Sequence, residues 1–440
     1  MVWPYNSTSP SPETFIFTLP SHSKPTDPLP VGSFVSPSAS SSEPGLVVVM
    51  AGSGKVVFWE SISSAATFAF IKKDRSGVEH LISGMSSGEK VVSITNAESA
   101  GFILTFNSGR LAYMSVRDNH GRPAISVQFL RTNLAASGGG IFGSIRHAFS
   151  HLSLRGEIAA VRADRSTRVG ERNIVALTCK GKLQAWNVHR GGHNEQIGDA
   201  DIREHLISAL HEADPVSTDF SPDSLEMLDF TFVPKGMESK YLELTRLSDA
   251  VGSDDAMMQH LLLLVSFTRK NISRYSLVEA VLKPNGCQIG MIRPITSYST
   301  PVSVSSSNES SRPRIYLPRP ALVAFAVFER AVVIASIATP PESPDYQLQS
   351  DSNILPASYE DVIDFREDNT NEIVGSGFEE MASAAQEENK IFRQKAKNPA
   401  ALLMVRGVGV VRVVTADVDK FASDQPPQVS AKSKLEQTVF

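Results

Sequence analysis

The chain has 440 residues, of which 41% are hydrophobic and 20% are charged, and its formal net charge is −5. This composition is ordinary for a soluble globular protein, and the weak negative charge excludes a global basic field that would attract nucleic acid. The two cysteines, Cys179 and Cys287, exclude a disulfide framework and a Cys-rich zinc site. No apolar run approaches the length of a membrane span, and the first twelve residues lack the pattern of a signal peptide.

The N-terminal region, residues 1–44, reads as a leader rather than as part of a packed domain. Residues 15–19 form a short strand-like run, which we predict completes the last blade of a ring of sheets. Residues 20–44 are rich in Ser and Pro and bury little apolar surface, so a flexible leader is expected there.

One pattern recurs along the rest of the chain: an apolar run, a glycine or basic turn, and then an alternating strand. A hairpin that repeats at irregular intervals predicts an all-β fold of the propeller type with long insertions. Candidate preceding strands accompany the second, third and fourth hairpins, at residues 90–95, 157–163 and 227–233. The six hairpins occupy residues 45–62, 101–116, 173–188, 261–278, 321–337 and 401–418.

The number of blades does not follow from the pattern alone, because six hairpins are visible. A seventh blade could come from the weaker segments at residues 113–130 or 286–299. We predict a propeller domain over residues 45–420. Residues 421–440 are then a linker and the opening of a helical region, and the chain is the N-terminal piece of a longer protein.

Several insertions have helical or polar character. Residues 200–211 predict a helix, residues 241–260 a polar and partly helical excursion, and residues 359–398 an acidic and then helix-prone stretch. Loops of this length are usually functional or disordered. One face of the first insertion carries Ile202, Leu206, Ile207 and Leu210, and the candidate docking residues of the last are Ile363, Phe378, Met381 and Ile391.

Three motifs resemble known phosphate, dinucleotide or metal sites, but each is better explained as a turn or loop without a ligand. Residues 52–55 (GSGK) resemble a phosphate-binding loop, but they lack its first glycine and its Ser/Thr and lie at a hairpin turn. The glycines of residues 138–143 match a dinucleotide fingerprint outside any βαβ unit. His189, His193 and Glu195 lack a further ligand for a metal. No catalytic pattern appears, so the sequence predicts no enzyme, no cofactor, no metal and no small-molecule substrate.

Residues 141–154 are the candidate functional site. On a helix they give a stripe of bulky apolar residues, opposed by a nearly uncharged face of Ser, Gly and His. Such a helix would bind curved membrane by inserting apolar side chains into packing defects rather than by charge. A helix packed on its own domain, or a loop, is the competing interpretation. The predicted membrane-binding residues are Ile141, Phe142, Ile145, Phe149 and Leu152.

The residues around the first hairpin carry a resemblance to a known family. Residues 45–65 (GLVVVMAGSGKVVFWESISSA) resemble the first blade of the nucleoporin 133/155 family, chiefly through Met50, the Ser-Gly-Lys turn and the run from Trp59 to Ala65. Residues 157–164, 183–188 and 434–440 are also similar to that family.

The resemblance implies a seven-bladed propeller that acts as a scaffold in the Y-complex, in the outer ring of the nuclear pore complex at the nuclear envelope. The implied partners are other Y-complex nucleoporins and, peripherally and reversibly, the curved pore membrane; no direct contact with nucleic acid is implied. Members of the family can carry a curvature-sensing helix in a propeller loop, and residues 141–154 occupy a comparable place.

Two alternatives stay open at this stage. One is a protein-only propeller, in which residues 200–211 and 359–398 dock neighbouring nucleoporins without lipid. The other is a propeller enzyme, which would need a central pocket with strongly shifted pKa values.

Overall fold

Antiparallel β-sheets make up almost all of the structure, a computed structural model. Clustering of contacts divides the chain into two units. The first unit contains Met1–Ala176 and Gln184–Ile197, and the second contains Leu177–Leu183 and Gly198–Phe440. The structure describes residues 1–4, 13–19, 28–38, 41–67, 77–130, 156–164, 168–213, 221–234, 258–302, 312–337, 360–366, 370–380 and 398–415.

Eleven strands precede residue 164 in the described part of the first unit. Two four-stranded sheets have the orders β2-β3-β4-β6 and β10-β9-β8-β7, and β1 pairs with β5. The strands are β1 (Phe15–Ile16), β2 (Val31–Val35), β3 (Gly45–Val49), β4 (Lys55–Trp59), β5 (Ala66–Thr67), β6 (Val78–Leu81), β7 (Val91–Asn96), β8 (Phe102–Phe106), β9 (Leu111–Arg117), β10 (Pro123–Phe129) and β11 (Ile158–Ala163).

A third four-stranded sheet has the order β11-β12-β13-β14. Its remaining strands are β12 (Glu171–Thr178), β13 (Lys182–His189) and β14 (Asn194–Asp201). The helix α1 (Arg203–Ala213) follows directly. Within the described residues, no helix is both long enough and apolar enough to cross a membrane.

The second unit contributes two further four-stranded sheets and one of three strands among its described residues. Their orders are β15-β16-β17-β18, β19-β20-β21-β22 and β23-β24-β25. The strands are β15 (Glu226–Phe232), β16 (Gln259–Arg269), β17 (Ile272–Lys283), β18 (Gly286–Pro301), β19 (Arg314–Tyr316), β20 (Val323–Val327), β21 (Ala331–Ser336), β22 (Glu360–Asp364), β23 (Ile373–Glu379), β24 (Ala400–Val405) and β25 (Gly409–Val414).

The predicted hairpins are confirmed. Each of the six gives a pair of adjacent antiparallel strands, namely β3–β4, β8–β9, β12–β13, β16–β17, β20–β21 and β24–β25. The predicted preceding strands are present as β7, β11 and β15. The helix predicted at residues 200–211 is present as α1.

Neither of the segments suggested for a seventh blade forms a sheet of its own. Residues 113–130 contain part of β9 and all of β10, which pairs with β9 in the second sheet. Residues 286–299 lie in β18, which pairs with β17. Both segments lack a continuous apolar run because they are outer strands, on which most residues are only partly buried or exposed.

Parts of the predicted leader form β-strands, which its Ser- and Pro-rich composition did not indicate. Val31–Val35 forms β2 and pairs in register with Gly45–Val49, so the first sheet begins earlier than residue 45. Phe15–Ile16 pairs with Ala66–Thr67, not with any strand of the last described sheet. Its partner therefore differs from the one predicted for a ring-closing strand.

In the predicted acidic and then helix-prone stretch of residues 359–398, the acidic start forms the strand β22, and the helix-prone interpretation is wrong for β23. Ile363, expected to be available for docking, is only 7% exposed and belongs to a hydrophobic cluster of the second unit. Met381 and Ile391 lie outside the described residues, as do residues 241–257 and the segment from 416 to the C-terminus.

The cores follow from the alternation of side chains along each strand. In the first unit, Val47, Phe58, Leu104 and Met114 are buried in one cluster. The opposite face of the first sheet is covered by the N-terminal segment, where the rings of Phe17 and Trp59 lie 4.9 Å apart. Burial of these side chains is the main source of stability in both units.

Candidate interaction surface

The predicted membrane-binding residues lie in the connector between the second and third sheets. The connector, residues 131–155, leaves the end of β10 and enters β11, and all of it lies outside the described residues. The positions of Ile141, Phe142, Ile145, Phe149 and Leu152 are therefore untested, and so are those of the glycines at residues 138–143. The structure does define the two anchors that hold the ends of the connector.

The first anchor is the end of β10. The Phe129 ring lies under the guanidinium of Arg110, whose central carbon is 3.6 Å from the ring centroid. Arg110 also forms an ion pair of 3.2 Å with Glu89, whose side chain is only 2% exposed. The amide of Leu130 donates to the carbonyl of Leu111 at 2.9 Å. The connector thus starts from a fully supported strand.

The second anchor is β11. The hydroxyl of Thr95 on β7 donates to the carbonyl of Val161 at 3.1 Å. Val161 is 6% exposed and packs in a cluster that also contains Leu130, the last residue before the connector. Both ends of the connector are consequently fixed in one hydrophobic cluster of the first unit.

The segment that carried the family resemblance is structural. Trp59 is 6% exposed and packs under Phe17. Ser61 caps the short 3-10 helix Ile62–Ser64 by accepting a hydrogen bond from the amide of Ser63. The hydroxyl of Ser64 donates back to the carbonyl of Ser61 at 2.6 Å. Small hydroxyl residues recur here because they close a tight turn after the buried tryptophan.

Glu60 of the same segment ties the first sheet to the second. Its carboxylate forms an ion pair with Arg117 at 3.0 Å and accepts a hydrogen bond from the hydroxyl of Ser38 at 2.7 Å. Arg117 also donates to the carbonyl of Ser36 at 2.9 Å. The segment therefore supports the packing of the sheets and leaves no group aimed at a ligand.

The structure assigns the GSGK segment to a turn, as predicted. The amide of Gly54, at a φ of +67°, donates to the carbonyl of Met50, and the side chain of Lys55 pairs with Glu79 at 2.7 Å. A lysine held by a carboxylate and a loop closed by its own hydrogen bonds leave nothing to cradle a phosphate.

The candidate metal and thiol residues have ordinary surroundings. His189 and His193 face each other across a hairpin with ring centroids 5.6 Å apart, and across the described ranges no three His, Cys, Asp or Glu residues are grouped to hold a metal. Burial raises the pKa of the Cys179 thiol to about 12, and it raises the pKa of the Cys287 thiol to about 12. Both thiols stay protonated at neutral pH and are poor nucleophiles.

The helical insertion does not offer the docking face that its sequence suggested. Ile202, just before α1, and Leu206 are fully buried, Leu210 is 7% exposed and Ile207 is half-buried, so most of the predicted apolar face is part of the core. In the other predicted docking region, Phe378 is 37% exposed and stacks on Tyr316 at 5.4 Å between centroids.

One surface was missed by the sequence analysis. The hairpin of β16 and β17 ends in the run Phe267 to Arg274, which carries three cationic side chains. The sequence FTRKNISR shows the cluster of cationic residues, but which of them share a face with Phe267 follows only from the register of the hairpin.

Comparison with known proteins identifies the family. Residues 1–412 match the family model described as Nup133 N terminal like. The chain is 56% identical over 441 residues to nucleoporin NUP133 of Chaetomium thermophilum, covering all of this chain and 32% of that protein. It is 24% identical over 394 residues to nucleoporin nup131 of Schizosaccharomyces pombe, covering 87% of this chain and 29% of that protein. The chain thus spans about a third of the length of these curated relatives.

A solved structure establishes the fold. The crystal structure of the Nup133 β-propeller domain of Vanderwaltozyma polyspora matches with a TM-score of 0.61 and 19% identity, covering 88% of this chain and 83% of that chain. The fold is therefore that of a β-propeller. Together with the match to the family model, this shows that the chain belongs to the Nup133 N-terminal-like family of nucleoporins, which are components of the nuclear pore complex at the nuclear envelope.

Proposed function

We propose that the chain is a structural domain of the outer ring of the nuclear pore, the Y-complex, and that it contacts the curved pore membrane through the connector. The inserting side chains are those of Ile141, Phe142, Ile145, Phe149 and Leu152. The observation that carries this proposal is the pair of anchors: an amphipathic sequence is tethered at both ends to strands that are themselves firmly packed.

The physical basis is partition of apolar side chains into lipid packing defects. Each buried Phe, Ile or Leu contributes about 1.5–3 kcal/mol. Ordering the connector on the membrane opposes this gain, so the contact is weak and reversible. Because the polar face of the stripe has little charge, binding depends on curvature more than on anionic lipid.

The scaffold role is proposed from the family. We expect contacts with other Y-complex nucleoporins, no enzymatic activity, and support of mRNA and protein transport through the assembly of the pore. The proposed propeller has seven blades. Six sheets of three or four strands and the two-stranded sheet of β1 and β5 lie within the described ranges.

Flotation with liposomes tests the membrane contact. The protein is mixed with neutral vesicles of a small and a large diameter, and the fraction bound is compared with that of the Phe149→Asp variant. We expect preferential binding to small vesicles and loss of that binding in the variant. Val169→Asp is the matched control, because Val169 is 88% exposed on a turn of the same unit.

The same experiment distinguishes the alternative. A wild-type protein that binds neither vesicle while staying folded by circular dichroism would favour a protein-only propeller. A Phe149→Asp variant that loses stability would show that the stripe packs on its own domain. Ile202, Leu206 and Leu210 are buried, so in the protein-only alternative a docking contact at residues 202–210 would use the exposed side of the helix.

A further inference from the structure

The hairpin of β16 and β17 extends beyond the end of β15, and β18 accompanies β17 as far as the pair Ile272↔Pro301. Pairing with β15 ends at Glu226↔Ser266, whereas β16 and β17 stay paired as far as Arg269↔Ile272. The three further pairs add about 10 Å at about 3.4 Å per residue. We call residues 267–274 the ribbon. It closes in a two-residue turn at Lys270 and Asn271, whose φ values of 50° and 61° are typical of type I′.

The register sorts the ribbon into two faces of different chemistry. Residues opposite each other in an antiparallel pair share a face, and alternate pairs face opposite sides. Phe267 pairs with Arg274, and Arg269 pairs with Ile272, so these four side chains share one face. The other face carries Thr268 and Ser273, with Thr300 of β18 beside them.

The base of the ribbon is fixed in the second unit. The amide of Thr268 donates to the hydroxyl of Ser224 at 3.0 Å. The hydroxyls of Tyr275 and Thr300 lie 2.7 Å apart, and the Tyr275 ring is 4.7 Å from that of Phe328. A face held in this way is preorganised for a partner, which lowers the entropic cost of binding.

The cations of the ribbon have no counter-charge of their own. Arg269, Lys270 and Arg274 form no ion pair in the part of the chain that the structure describes, although both Arg110 and Arg366 do. Lys270 and Arg274 are exposed, and Phe267, Arg269 and Ile272 are half-buried. Two unpaired arginines with an aromatic and an aliphatic side chain between them form a surface that complements carboxylates flanked by apolar groups.

We propose that this face of the ribbon binds an acidic segment of a partner protein in an extended conformation. Carboxylates of the segment pair with the guanidinium groups of Arg269 and Arg274, since an arginine fork matches a carboxylate in a bidentate manner. Apolar side chains of the segment lie on Ile272. This contact is separate from the membrane contact of the connector.

The surface is less suited to a membrane. The end of the ribbon is Lys270 and Asn271, which cannot enter the hydrocarbon layer, and the apolar side chains lie on one side of it. Each cation near an anionic leaflet contributes about 1 kcal/mol, so three give only weak attachment.

Fluorescence anisotropy tests the proposal with the full 440-residue chain and a labelled decapeptide of alternating Glu and Phe. The affinity of the wild-type chain is compared with that of the double variant Arg269→Glu/Arg274→Glu. We expect the variant to bind at least about tenfold more weakly, because two attractive contacts become repulsive. Wild-type binding should weaken as salt is raised.

Matched controls distinguish a loss of binding caused by this site from one caused by a change in net charge or in folding. The double variant Arg122→Glu/Lys180→Glu changes the charge by the same amount at exposed turns and should bind like wild type. A decapeptide of alternating Gln and Phe should not bind. Equal loss in both double variants would overturn the proposal, and so would absence of wild-type binding to the acidic peptide. Binding to phosphatidylserine vesicles without binding to the peptide would also overturn it and assign the ribbon to lipid.

Discussion

The second sheet and the ribbon each place an arginine beside a phenylalanine, but in the described part of the chain only the arginine of the second sheet has an acidic partner. On the second sheet, Arg110 lies over Phe129 and is paired with the buried carboxylate of Glu89. On the ribbon, Arg274 lies opposite Phe267 and has no acidic partner among the described residues. An arginine beside a phenylalanine is therefore not itself a sign of a binding surface. An arginine that is paired with a carboxylate of its own fold stabilises that fold, whereas an arginine without such a partner can bind a carboxylate of another protein.

The strongest test of this comparison is Arg110→Ala. The substitution removes the cation that pairs with Glu89, whose side chain is 2% exposed, and it removes the stack on Phe129. We expect the free energy of unfolding to fall by about 3 kcal/mol, the cost of leaving a buried carboxylate without its partner. Denaturant unfolding followed by circular dichroism measures it.

Arg274→Ala is the matched control for that experiment. We expect it to change the free energy of unfolding by less than about 0.5 kcal/mol, as for other exposed side chains without a partner. Equal losses in Arg110→Ala and Arg274→Ala would break the distinction between the two regions.

Arg117 supplies an intermediate case. Its side chain is 13% exposed and that of Glu60 is 23% exposed, so the pair is less buried than Arg110 and Glu89. We expect Arg117→Ala to lower the free energy of unfolding by about 1–2 kcal/mol, from the ion pair and the hydrogen bond to Ser36. A loss larger than that of Arg110→Ala would show that burial of the carboxylate is not the deciding factor.

Arg366 forms an ion pair at the surface, where we expect the smallest effect on the free energy of unfolding. Its Nε donates to both carboxylate oxygens of Asp364, at 2.9 and 2.8 Å, and these hydrogen bonds hold the pKa of Asp364 below its usual range. Because the folded pKa is depressed, the pair stabilises the fold above the usual pKa of aspartate. This contribution is lost as the pH falls through the folded pKa.

An NMR titration of the Asp364 carboxyl measures the shift directly. In the Arg366→Met variant we expect the pKa of Asp364 to rise towards its usual value. An unchanged pKa would show that the backbone amide of Arg366, which also donates to Asp364, is sufficient alone.

The hairpins and three of their outer partners, β7, β11 and β15, were predictable, whereas β22 was not. Runs such as Leu261–Val265 combine continuous apolar residues with a turn, which is a local signal of a buried strand pair. β22 carries three carboxylates and buries only Ile363. Its Glu360 accepts hydrogen bonds from the amides of Thr296 and Ser297 on β18, at 3.0 and 2.8 Å. A strand held by its neighbours has no such signal in its own composition.

Of the two candidate surfaces, one could be predicted from the sequence and the other could not. The amphipathic stripe at residues 141–154 can be found from sequence because helical periodicity is local. The face of the ribbon could not be found in this way, because the placement of Arg274 beside Phe267 depends on the register set by the turn at Lys270 and Asn271.

The burial of Trp59 under Phe17 has a practical consequence for experiments. All three tryptophans, Trp3, Trp59 and Trp186, belong to the first unit. Trp59 is 6% exposed and Trp186 is 2% exposed, so their emission should shift to longer wavelength when that unit opens. Intrinsic tryptophan fluorescence therefore reports on the first unit alone, because the second unit, which carries the ribbon, contains no tryptophan.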